Sequence, residues 1–164
     1  MEIEKIVARA RNNAYSLLRS RPRSEYEIRQ RLRLKGYEAS VIDAVVELLR
    51  RSGYIDDKKF ARFWVDSRMH SNPMGEVVLK QELKEKGVRG SIIEATLEDA
   101  HKSYDEYEVA FSMAKERFNR LKKLDRRKAA KRLYDFLLRR GFKFDTVQRI
   151  VEELASLRER ECIG

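Results

Sequence analysis

The sequence predicts an all-α protein of three tandem three-helix repeats in an elongated, curved array, and three observations carry that expectation. Helix breakers are scarce, with 7 Gly and 2 Pro among 164 residues, while stretches rich in Glu, Lys, Arg, Leu and Ala favour helix. One pattern recurs around Gly36, Gly87 and Gly141, at spacings of 51 and 54 residues. Charged residues make up 39% of the chain and alternate with apolar ones at helical period, so the charge belongs to helix surfaces and not to a disordered polyelectrolyte.

Taken in order, a first helix near 3–20 precedes the repeats. Helices near 24–35, 40–51 and 57–69 make the first module, those near 75–86, 91–101 and 104–121 the second, and those near 126–140 and 145–160 the third. The corresponding domains are an N-terminal helix over 1–20, repeats over 21–70, 71–122 and 123–160, and a tail over 161–164. No segment reads as a strand.

Each glycine has a mechanical reason. Just past a helix it takes the left-handed conformation that ends the helix, and the apolar residue after it folds back on the leucine five positions earlier. That pairs Tyr37 with Leu32, Val88 with Leu83 and Phe142 with Leu137. The preceding Lys35, Lys86 or Arg140 lies on the negative end of the helix dipole. Ser40, Ser91 and Asp145 are expected to cap the next helix, with Ser91 and Glu94 at capping-box spacing. Ser24 and Glu27 form a further box, and Asp56 caps the helix bearing Phe60, Phe63 and Trp64, read as a core stripe in preference to a stacking surface for exposed bases.

The net charge of +10 is concentrated. Between Lys115 and Lys143 there are 13 Lys and Arg against Glu116, Asp125 and Asp135, a surplus equal to that of the whole chain, which is otherwise neutral. Such a segment on a neutral frame is a footprint for a polyanion, most often nucleic acid, with a solubilising surface as the alternative. The candidate contacts are Lys115, Arg117, Arg120, Lys122, Lys123, Arg126, Arg127, Lys128, Lys131, Arg132, Arg139 and Lys143. Lys and Arg on phosphates give salt-sensitive, sequence-independent binding of single- and double-stranded DNA. A second strip, Arg21, Arg23, Arg29, Arg31 and Arg33, is interleaved with Glu25 and Glu27 and reads as a solvated face with ion pairs.

Catalysis and cofactors find no support. His70 and His101 stand apart, no metal-ligand spacing or Gly-rich phosphate loop is present, and the lone Cys162 allows no internal disulfide. Without an apolar run long enough to span a bilayer, the expectation is a cytoplasmic, non-enzymatic monomer that makes no membrane contact.

The segments RLRLKGY (31–37), GYIDDKKFARFWVDSR (53–68), LKQELKEKGV (79–88) and FLLRRGF (136–142), with Arg21-Pro22-Arg23-Ser24-Glu25, resemble the RecX family of regulatory proteins over about residues 10 to 155. The resemblance implies a modulator of RecA that enters the groove of the RecA nucleoprotein filament. It inhibits recombinase, ATPase and co-protease activity there, and so acts on homologous recombination, DNA repair and the SOS response. The residues themselves leave two alternatives: a sequence-independent DNA-binding helical protein acting without RecA, and a protein-binding scaffold.

Overall fold

The computed structural model describes residues 2–163, and side chains through residue 157, so Gly164 and the Cys162 side chain lie outside the described residues. All secondary structure among them is helical: α1 (Glu2–Ser20), α2 (Glu25–Leu34), α3 (Ala39–Arg51), α4 (Asp57–Ser71), α5 (Glu76–Glu85), α6 (Gly90–Ser103), α7 (Glu106–Arg120), α8 (Arg126–Arg139) and α9 (Phe144–Ile163). The described residues form two compact units, one of residues 2–66 with 82–96, the other of 67–81 with 97–163.

In the first unit α1, α2 and α3 close on one another. Ala10 and Ala14 let α1 approach closely, and Ile28, Leu32, Ile42, Val45, Val46 and Leu49 fill the space between. The second unit repeats this with Ala110 and Ala114 of α7 against Leu133 and Leu137 of α8 and Val147, Ile150 and Leu154 of α9. Burying such apolar surface is worth about 1.5–3 kcal/mol per large aliphatic side chain. In both cores the third helix precedes the glycine-linked pair. The sequence pattern instead places α1 before the modules and takes the following helix, α4, into the first.

The glycine turns form as expected. Gly36, Gly87 and Gly141 have φ of 83°, 72° and 79°. The amides of Tyr37, Val88 and Phe142 donate to the carbonyls of Leu32, Leu83 and Leu137 at 3.3, 3.1 and 3.3 Å, the Schellman closure. Gly53 makes a fourth, with φ 71° and Tyr54 N–H on the Leu49 carbonyl at 2.9 Å. The expected caps Ser40, Ser91 and Asp145 are displaced. The first helical bonds run to the carbonyls of Glu38, Arg89 and Lys143, so each expected cap already lies inside its helix. After a Schellman turn only two residues are needed to re-aim the chain, and the next helix starts before the capping side chain is reached. Ser24 with Glu27 does form the full capping box, and Asp56 accepts from the amides of Lys58 and Lys59. Phe60 is buried, but Phe63, expected in the same stripe, is 39% exposed.

The second glycine turn docks on the start of α2. Ser24 donates its hydroxyl to the Lys86 carbonyl at 2.6 Å, and Lys86 reaches Glu27 at 3.3 Å and lies over the Trp64 ring at 4.9 Å. A Cβ on Gly87 would stand 2.3 Å from that of Tyr26, so glycine is required by both conformation and contact. In the second unit the Gly141 turn docks on the start of α5 in the same register: Gly75 N–H donates to the Arg140 carbonyl at 2.8 Å and Val77 N–H to that of Gly141 at 3.2 Å. Arg140 extends the contact by donating to Asn72 and to the Pro73 carbonyl.

Candidate nucleic-acid interface

The end of α8 is aligned with the ends of α2 and α5 by its glycine, yet α8 has 14 residues where the other two have 10. The added turn lies at its N-terminus and carries Arg126, Arg127 and Lys128. Cations in a first turn oppose the helix dipole, and α8 has no acidic residue there. Asp125 offsets this by capping, its carboxylate accepting from the amides of Arg127 and Lys128 at 3.0 and 3.3 Å.

Ala129, Leu133 and Leu137 turn inward, which sends Arg127, Lys128, Lys131, Arg132 and Arg139 outward, all exposed. Asp135 is half-buried among them. Among the described residues Arg127, Lys128, Lys131 and Arg132 form no ion pair. Lys115, Arg117 and Arg120 on α7, and Lys122 and Lys123 in the turn that follows, are exposed as well. Arg117 lies over the Phe136 ring at 5.3 Å, which limits its reach.

Lys143 is placed differently from its companions. Its ammonium sits 2.5 Å from Glu76 and 4.0 Å from Glu106, and His101 lies 3.4 Å from Glu76. The hydrogen bond from Lys143 holds the Glu76 carboxyl below its ordinary range, and Glu76 raises the lysine. Thus His101 is not isolated, as the sequence suggested. Glu76, His101 and Glu106 could converge on a cation, but the ammonium of Lys143 already meets the same carboxylates.

Beside the cations lies an apolar island that sequence reasoning passed over. Tyr134 and Phe144 meet edge to face with centroids 6.1 Å apart, and Leu138 follows Tyr134 by one turn. The first arginine strip behaves as expected of a solvated face: Arg21 pairs with Glu27 at 2.7 Å, and Arg29 with Glu25 and Asp43 at 2.8 and 2.5 Å.

The fold and this face define an all-helical tandem-domain protein with a cationic surface on α7 and α8. Family models described as the first, second and third three-helix domains of RecX match residues 10–49, 56–97 and 104–151. The chain belongs to the RecX family of regulatory proteins. The regulatory protein RecX of Vibrio campbellii is 35% identical over 134 residues, 82% of this chain and 84% of that one. That of Clostridium acetobutylicum is 30% identical over 150 residues, 90% and 69% of the two chains. The crystal structure of RecX from Lactobacillus salivarius superposes with a TM-score of 0.77 at 25% identity, covering 90% of this chain and 96% of that one. A second RecX crystal structure, at 22% identity and TM-score 0.79, shares the fold. No helix among the described residues is long and apolar enough to cross a membrane.

Proposed function

We propose that this chain is a non-catalytic regulator that binds the RecA–DNA filament in its groove and inhibits recombinase, ATPase and co-protease activity, as a cytoplasmic monomer acting on recombination and DNA repair. Its membership of a family of regulatory proteins supports the regulatory half of this reading. The observation that carries the nucleic-acid half is the set of solvent-facing cations on the added turn and outer face of α8, which a phosphate backbone would neutralise. Within the candidate set, Lys128, Lys131 and Arg132 are the principal DNA contacts, while Lys143 is held back by Glu76. Tandem domains suit a filament because several weak contacts to successive subunits add through effective concentration.

The test is single-stranded-DNA-dependent ATP hydrolysis by RecA, with the protein added below the RecA concentration at two ionic strengths. A strong fall in hydrolysis that weakens with salt supports filament capture through the cationic face. Unchanged hydrolysis with DNA binding retained would replace the proposal by sequence-independent DNA binding without RecA. Inhibition that survives neutralisation of Lys128, Lys131 and Arg132 would favour the scaffold reading.

A further inference from the structure

The three repeats differ at a place where the third carries more apolar surface than its core takes up: Tyr134 packs partly against that core, but Leu138 and Phe144 do not. Seven and three residues before the glycine, the first repeat carries Arg29 and Arg33 and the second Lys80 and Lys84, whereas the third carries Tyr134 and Leu138. Three residues after it, where the first two have Ala39 and Gly90, the third has Phe144. Ala39, Gly90 and Phe144 each open a helix, so the position tolerates a small residue. Phe144 is nevertheless 57% exposed and Leu138 37% exposed, and the core of this unit is complete without them.

Along α8, Arg127, Lys131, Tyr134 and Leu138 are spaced by four, three and four, and form one stripe. The edge-to-face contact at 6.1 Å, with interplanar angle 88°, props Phe144 against Tyr134. An aromatic face beside unpaired cations matches the chemistry of an unstacked nucleotide, with a base for the ring and a phosphate for the charge. A protein partner with an apolar knob would meet the desolvation cost of Arg127 and Lys131, which form no ion pair among the described residues.

We infer that Phe144, braced by Tyr134, stacks an unpaired nucleobase of single-stranded nucleic acid whose phosphates lie on Arg127 and Lys131. This rests on the proposal that the α8 face binds DNA and adds to it a preference for strands with exposed bases. A duplex engages the same cations but keeps its bases stacked, so the ring contributes nothing to it.

The experiment compares wild type and Phe144→Ala for binding of an oligo(dT) strand, an abasic strand of equal length and a duplex, by fluorescence anisotropy. Alanine is the residue that the first repeat carries at this position, and an unchanged melting temperature verifies the fold. The substitution is expected to weaken oligo(dT) binding about tenfold, the scale of one lost base–aromatic stack, with the abasic strand and duplex within about twofold. Phe144→Trp is expected to restore affinity and to add indole quenching by oligo(dT) beyond that of Trp64. Equal weakening on all three ligands, or none on oligo(dT) while wild type binds it, overturns the inference and leaves the cationic-face proposal standing. Loss of RecA affinity with oligonucleotide binding intact would assign the island to a protein partner and also overturn it. Absence of DNA binding by wild type removes both readings.

Discussion

The hydroxyl of Ser24 donates to the carbonyl oxygen of Lys86, 62 residues further along, at 2.6 Å while also accepting the amide of Glu27. One fully buried side chain thus closes the N-terminus of α2 and satisfies the carbonyl next to the glycine turn of the following repeat. The Gly75 amide on the Arg140 carbonyl is the same relationship one repeat later, with backbone in place of side chain. Ser24→Ala removes both bonds and leaves the Lys86 carbonyl unpaired. A destabilisation of about 2–4 kcal/mol in urea unfolding is expected, since a lost cap and an unsatisfied buried acceptor each cost about 1–2 kcal/mol.

Gly36 and Gly87 share a left-handed conformation but not an environment. A Cβ on Gly36 meets nothing within 4 Å, whereas one on Gly87 collides with Tyr26. Gly36→Ala should therefore cost about 1–2 kcal/mol from backbone strain alone. Gly87→Ala should cost at least about twice as much, because the turn must also lift off α2. Parallel denaturant melts of the two variants check this, and equal losses would contradict the docked turn.

Glu27 links pH to this docking. Burial pushes its carboxyl up, but Arg21, the Ser24 amide and Lys86 outweigh burial and hold it below its ordinary value of 4.5. A depressed carboxylate contributes stability that is present above that ordinary value and is lost as pH falls through the lower folded value. Acid unfolding followed by circular dichroism should show this loss below about pH 4.5. Glu27→Gln should be less stable at neutral pH and show a flatter acid limb.

Neutralising Lys128, Lys131 and Arg132 to Gln should reduce the slope of log affinity for DNA against log salt by about 2–3, at about 0.7–0.9 per phosphate contact. Thermal stability should hold or rise slightly, because Lys128 opposes the dipole of α8. A large fall in melting temperature would mean that these side chains serve the fold instead.

Lys143 should behave unlike Lys131. With its charge balanced by Glu76, Lys143→Gln is expected to change DNA affinity less than Lys131→Gln does. Glu76→Gln leaves the ammonium only the more distant Glu106 and should raise affinity at low salt, by a few-fold, with the gain vanishing at high salt as screening requires. Filter binding at two salt concentrations separates these outcomes.

Local features were legible in the sequence because they depend on residues a few positions apart. The glycine turns, the Ser24–Glu27 box, the Asp56 cap, the helices and the outward cations of α8 all follow from short-range spacing and the helical period. The same short range misled at Ser40, Ser91 and Asp145, where the turn left no room for a cap outside the helix.

What only tertiary structure decided is which distant surfaces meet. An apolar stripe states that a helix will be covered, not by which helix; α1 and α7 complete their cores because Ala10, Ala14, Ala110 and Ala114 allow close approach. Likewise a run of Lys and Arg sets a potential, but the fold decided that Lys143 faces Glu76, that Lys131 faces solvent, and that Phe144 is braced by Tyr134. Long-range pairing is settled by shape and charge between faces brought together only on folding, and a single chain's local pattern carries no record of the partner.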